Sequence, residues 1–120
     1  MYAKHIGEGR AILLLHGNGE DHTIFSGITP ALAMQYSLLL PDSRAHGRSG
    51  RGLGELTIRG MGLDILALMD ALKIPSATLI GYSDGGNIAL EAALFAPGRI
   101  DGLVLIGANL YPSGLKPLVL

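Results

Sequence analysis

No cysteine occurs in the 120 residues, which excludes disulfides, thiol nucleophiles and cysteine-based metal sites without fixing the compartment. Charge of either sign is sparse and nearly balanced, at a formal −1, so nothing in it points to nucleic acid or to an anionic membrane surface. Arg44, Arg48 and Arg51 gather in one short segment, and a solvated loop accounts for them. No apolar run approaches the length needed to span a bilayer, and Met1 to Arg10 carries no apolar stretch of signal-peptide type. A soluble cytoplasmic chain is expected, with neither membrane nor nucleic acid as a partner. Repeats, low-complexity tracts and interdomain linkers are also missing, and 48% hydrophobic content over this length fits a single domain with a real core.

What is present alternates between two periodicities. Tyr2 to Ile6 reads as a short strand, Ala11 to His16 as a continuous apolar run suited to a buried central strand, and Ser37 to Leu40 as a second, ending at Pro41. Between the last two, Thr23 to Met34 suggests a short helix despite Gly27 and Pro30. From Thr57, Met61, Ile65, Leu68, Met69 and Leu72 recur at helical spacing, with Arg59, Asp64, Asp70 and Lys73 between them. Ser76 to Tyr82, Gly85 to Phe95 and Ile100 to Ile106 then give strand, helix, strand. Alternation of this kind predicts an α/β fold with a mostly parallel sheet and helices on both faces. The loops opening at His16, Pro41, Ser83 and Gly107 would share the carboxyl rim, where such sheets bind ligands.

On that rim the most informative segment is Gly81-Tyr82-Ser83-Asp84-Gly85-Gly86, placed between an apolar strand and an alanine-rich helix. A sharp strand-to-helix turn crowds its flanks, so Gly81 and Gly85 fit a nucleophile elbow that exposes the Ser83 hydroxyl. A serine in a tight turn or at a helix amino-cap is the bland alternative. Gly86, Ala89, Ala92 and Ala93 read as close packing of that helix on the sheet. His5, His16, His22 and His46 fall in separate segments, without the spacing of metal ligands, so neither metal nor other cofactor is expected.

Three ordered segments together resemble the amino-terminal half of an α/β-hydrolase. Leu13-Leu14-Leu15-His16-Gly17-Asn18-Gly19 is similar to the family's strand and oxyanion loop. Asp42-Ser43-Arg44-Ala45-His46-Gly47-Arg48-Ser49 is similar to the polar loop after the next strand, with alanine where relatives more often have glycine. The elbow around Ser83 completes the set, and agreement runs from about residue 2 to about residue 110. The resemblance implies Ser83 as nucleophile, with the backbone N–H groups of Asn18 and Asp84 stabilising the oxyanion. Gly17, Gly19 and Tyr82 would lie against substrate. His16 would orient the oxyanion loop, and Asp42 and Arg44 would tie the neighbouring loop by an ion pair or backbone hydrogen bonds. Serine at the nucleophile position implies acyl transfer to water, with a small-molecule acyl substrate, a carboxylic ester of unspecified acyl length.

Triads of this family run serine, acid, histidine along the chain, yet all four histidines precede Ser83. Asp101 falls at the entrance of its strand, opposite the rim, and Asn109 is at the rim but carries an amide. The reading that follows is a portion of a longer serine hydrolase, whose lid, acid and histidine would come after Leu120, leaving these residues with little activity alone. An uncovered sheet edge would then favour self-association. The alternative is a non-catalytic α/β-hydrolase-like binding or interaction module.

Overall fold

Ile12, Leu13, Leu14 and Leu15 are all buried, although successive strand residues point to opposite faces of a sheet. Such a run requires cover on both sides, as in the interior of an α/β sheet. In the computed structural model, which describes residues 2–17, 19–43 and 57–107, these residues belong to β2 (Arg10–Leu15), the middle strand of five. The others are β1 (Ala3–Ile6), β3 (Tyr36–Pro41), β4 (Ala77–Tyr82) and β5 (Ile100–Ile106), in the order β1-β3-β2-β4-β5. The expected mostly parallel α/β sheet is therefore present. β2 pairs in parallel with β3 and β4, and β4 with β5, while β1 runs antiparallel to β3.

Each face of the sheet has its own core. Leu13, Leu15, Leu39 and Leu79 pack with Ile65, Met69, Ile88 and Ala92 from α2 (Ile58–Ala71) and α3 (Asp84–Phe95). Ile12, Leu14, Leu38, Leu40 and Ile80 cluster on the other face with Phe25. Thr57 caps α2 by accepting the Gly60 N–H at 2.9 Å. At the other end of α2 the Lys73 N–H reaches Asp70 O at 3.1 Å and the Ile74 N–H reaches Met69 O at 2.8 Å. This is a Schellman closure, with Lys73 in the left-handed position (φ 57°) that glycine usually fills.

One expected helix is divided. Instead of a helix over Thr23 to Met34, the chain makes a 3₁₀ turn at His22–Phe25 and a four-residue α1 at Thr29–Leu32. Pro30 lacks an N–H and fits only the first turn of a helix, so α1 has to begin beside it. Asp21 separately caps the preceding turn by accepting the Thr23 N–H. Among the described residues, no helix is long and apolar enough to cross a membrane.

β3 lies on one side of β2 and β4 on the other, so the strand order reverses between β2 and β4. That reversal opens a crevice at their carboxyl ends, the place where open α/β sheets bind ligands. His16 and Gly17 follow β2 there, and Ser83 follows β4.

Candidate active site

The turn at Ser83 is built by steric exclusion. Ser83 adopts φ 55° and ψ −122°, a conformation that costs a non-glycine residue roughly 1–3 kcal/mol. Its neighbours leave no room for side chains: a Cβ on Gly81 would stand 2.6 Å from Gly86 Cα, and one on Gly85 would run into the Leu15 and His16 carbonyls. Two backbone bonds hold the turn. The Ser83 N–H donates to Ile106 O on β5 at 2.8 Å, and the Gly86 N–H donates to Ser83 O at 2.9 Å. Ser83 occupies the amino-cap position of α3, yet its side chain makes no capping bond. The hydroxyl is thus left out of the helix's own hydrogen bonding. Asp84 opens α3, so its N–H belongs to the first turn, where intrahelical acceptors are lacking and the helix dipole is positive.

The loop after β2 presses on this turn. A Cβ on Gly17 would lie 3.1 Å from Ser83 Cβ and 3.2 Å from Tyr82 O, so a side chain here would have to press these neighbours apart. Glu20 Oε1 accepts the Gly17 N–H at 2.9 Å and closes the loop on itself. Gly19 is exposed with φ 77°, and Tyr82 is exposed beside Ser83. Asn18, Arg44, His46 and Asn109 lie outside the described residues.

His16 is buried, and both of its ring nitrogens are engaged. The Ser43 N–H donates to Nε2 at 2.9 Å, which makes Nε2 an acceptor and leaves Nδ1 to donate to Gly17 O at 2.7 Å. The ring therefore joins the loop after β2 to the one after β3. Asp42, fully buried, does similar work one step further out. Its Oδ1 accepts the His22 backbone N–H at 2.8 Å and lies 2.7 Å from the His22 Nδ1, while its own N–H donates to Tyr2 O at 2.9 Å. The Tyr2 and His22 rings sit 5.4 Å apart. Asp101 lies away from this rim, at the start of β5, where Oδ2 accepts the Ser76 hydroxyl at 3.1 Å.

Glu20 and His22 were not singled out by the sequence. A glycine three residues before a glutamate in a Gly-Asn-Gly-Glu turn is a readable signal for the first. For His22 there is none, because its partner stands 20 positions away and meets it only once β2 and β3 are neighbours. Asp21, His22 and Asp42 also bring one potential metal-ligand atom each within 4.8 Å of one another. Asp42 Oδ1 and the His22 Nδ1 already serve each other there, and Asp21 Oδ1 accepts the Thr23 N–H at 2.9 Å. The Thr23 hydroxyl and N–H hold the Asp21 carboxyl below its ordinary pKa, with smaller help from His22.

Residues 10–119 match the family model described as alpha/beta hydrolase fold. The chain belongs to the α/β-hydrolase family. Over 123 residues this α/β-hydrolase chain is 35% identical to the pimeloyl-acyl-carrier-protein methyl ester esterase of Klebsiella pneumoniae subsp. pneumoniae, an alignment covering 96% of this chain and 46% of that protein. Among solved structures it is similar to a thermophilic esterase from Thermogutta terrifontis, with TM-score 0.87 and 28% identity over 94% of this chain and 42% of that one. It is likewise similar to Est816, described as an N-acyl homoserine lactone degrading enzyme, with TM-score 0.85 and 32% identity over 89% of this chain and 41% of that one. The α/β-hydrolase chain spans less than half the length of the curated relatives and solved structures it matches.

Proposed function

We propose that this chain carries the nucleophile side of a serine hydrolase acting on carboxylic esters through an acyl-enzyme on Ser83. The observation that carries this reading is the Gly17 loop packed against a strained Ser83, whose side chain is not spent on capping α3. In the proposed reaction Ser83 Oγ attacks the ester carbonyl and loses its proton to a base. The alcohol leaves as the tetrahedral adduct collapses, and water then releases the acid. Negative charge on the carbonyl oxygen would be met by the Asp84 N–H and, from the facing loop, the Asn18 N–H. Each such donor is worth about 3 kcal/mol of barrier. Gly17, Gly19 and Tyr82 would border the acyl group. An ester is favoured as substrate because two of the similar proteins are named as esterases.

His16 is a poor base in this scheme, since neither ring nitrogen is free to take the Ser83 proton. It orients the oxyanion loop instead. The base and its acid would come from the part of the longer relatives that this chain does not span, and losing them costs a triad enzyme about a millionfold. The same commitment of both His16 ring nitrogens favours, as a second reading, a non-catalytic binding module.

A fluorophosphonate probe followed by peptide mass mapping separates the two. Covalent modification at Ser83 that disappears in Ser83→Ala is expected for the hydrolase. Equal labelling of both proteins would sink that reading. A folded chain that is neither labelled nor able to hydrolyse short or long acyl p-nitrophenyl esters would favour the binding module.

A further inference from the structure

At the end of the sheet opposite Ser83, two cavities meet. The first, about 430 Å³, is walled by Ala3, Leu39, Leu68, Leu72 and Ile74, and its polar corner is the His5–Ser37 pair, with Nε2 2.8 Å from Oγ. The second, about 640 Å³, shares Ser37 and Ile74 with the first and is bordered by Arg10, Lys73, Ser76 and Asp101. A mostly apolar groove thus leads into a polar mouth, in the size range of small-ligand pockets. The mouth has two cations and one carboxylate. Asp101 already accepts the Ser76 hydroxyl, and among the described residues neither Arg10 nor Lys73 forms an ion pair. The third nearby cation, Arg99, is spent on Asp70 and on the Ile74 and Pro75 carbonyls. Lys73 adds a second peculiarity: the chain keeps a long cation at the left-handed position where glycine would be relaxed.

We propose that this groove binds a small amphipathic carboxylate, a fatty-acid anion of medium length. Its alkyl chain lies along Leu39, Leu68 and Leu72, and beyond the bend at Ser37 its carboxylate meets Lys73 and Arg10. An anion is selected because the two cations of the mouth outnumber its one carboxylate, and an alkyl chain because five of the seven residues lining the groove behind it are apolar. None of the residues lining the site belongs to the turn at Ser83.

Isothermal titration of the 120-residue chain with octanoate, octan-1-ol and octylammonium tests this. Saturable one-to-one binding of octanoate is expected, at least fivefold weaker in Lys73→Gly and at least tenfold weaker in Lys73→Glu and Leu72→Asp. Lys73→Gly also relieves the left-handed strain, so its urea midpoint is expected to equal or exceed that of the wild type, and its weaker binding is then not a folding defect. Val104→Asp, on the opposite face of the sheet, is expected to bind octanoate normally. The proposal is overturned by absence of saturable octanoate binding, by equal binding to wild type and Lys73→Gly, by octylammonium binding as well as octanoate, or by loss of binding in Val104→Asp.

Discussion

Ser83 and its glycines divide one strain between them. The serine holds a backbone conformation that glycine would adopt freely, and Gly81, Gly85 and Gly17 surrender side chains so that it can stay there. Ser83→Gly is therefore expected to raise stability by about 1–2 kcal/mol while removing the hydroxyl, and Ser83→Ala is not, as urea denaturation would register. Gly85→Ala is expected to lower it by about 3 kcal/mol or more, because the methyl group meets backbone that cannot move without opening β2. Asp21 makes a pH-dependent prediction. Its folded pKa is lowered by Thr23, so its contribution is present above the ordinary value of 3.8 and fades as pH falls through the lower folded value. The stability gap between wild type and Asp21→Asn should accordingly be widest near neutrality and close in acid. At this scale the sequence was most legible where sterics act locally: a Gly-x-Ser-x-Gly turn advertises itself. The expected Asp42–Arg44 tie was less legible. Asp42 is held to His22, a contact made by strand adjacency that the sequence does not display, and the expected part of Arg44 in tying the loop lies outside the described residues.

Elements were legible in proportion to their length and to the chemistry at their ends. Thr57 announces α2, and its buried stripe of Ile65 and Met69 follows the helical period. Leu72, read as part of that stripe, is exposed because it sits at the helix end beside the lower groove. The Thr23 to Met34 segment misled because apolar periodicity outweighed Gly27 and Pro30. The direction of β1 could not be read at all, since side-chain alternation is the same in parallel and antiparallel strands. His16 is the joint between elements, linking the ends of β2 and β3. His16→Ala leaves the buried Ser43 N–H without an acceptor, and a loss of about 2–4 kcal/mol is expected. His16→Gln, which can restore one of the two bonds, should recover part of it, as thermal denaturation of the pair would test.

The molecule as a whole is a sheet with unequal cover. Val104 and Ile106 share their side of the sheet with Ile80, yet they remain 46% and 45% exposed, and Leu94 and Phe95 of α3 are more open still, at 61% and 59%. Exposed apolar surface of this kind, on both sides of the sheet, favours association, so the chain is expected to show concentration-dependent self-association by light scattering. Val104→Lys with Ile106→Lys should shift it toward monomer. An unchanged mass distribution would place the contact elsewhere. β5 also reaches the elbow itself, since the carbonyl of Ile106 takes the amide proton of Ser83. That proton can therefore act as a gauge: its exchange with deuterated solvent slows when something docks along β5 and steadies the strand. Occupancy of the sheet's edge becomes measurable at the nucleophile without any substrate turning over.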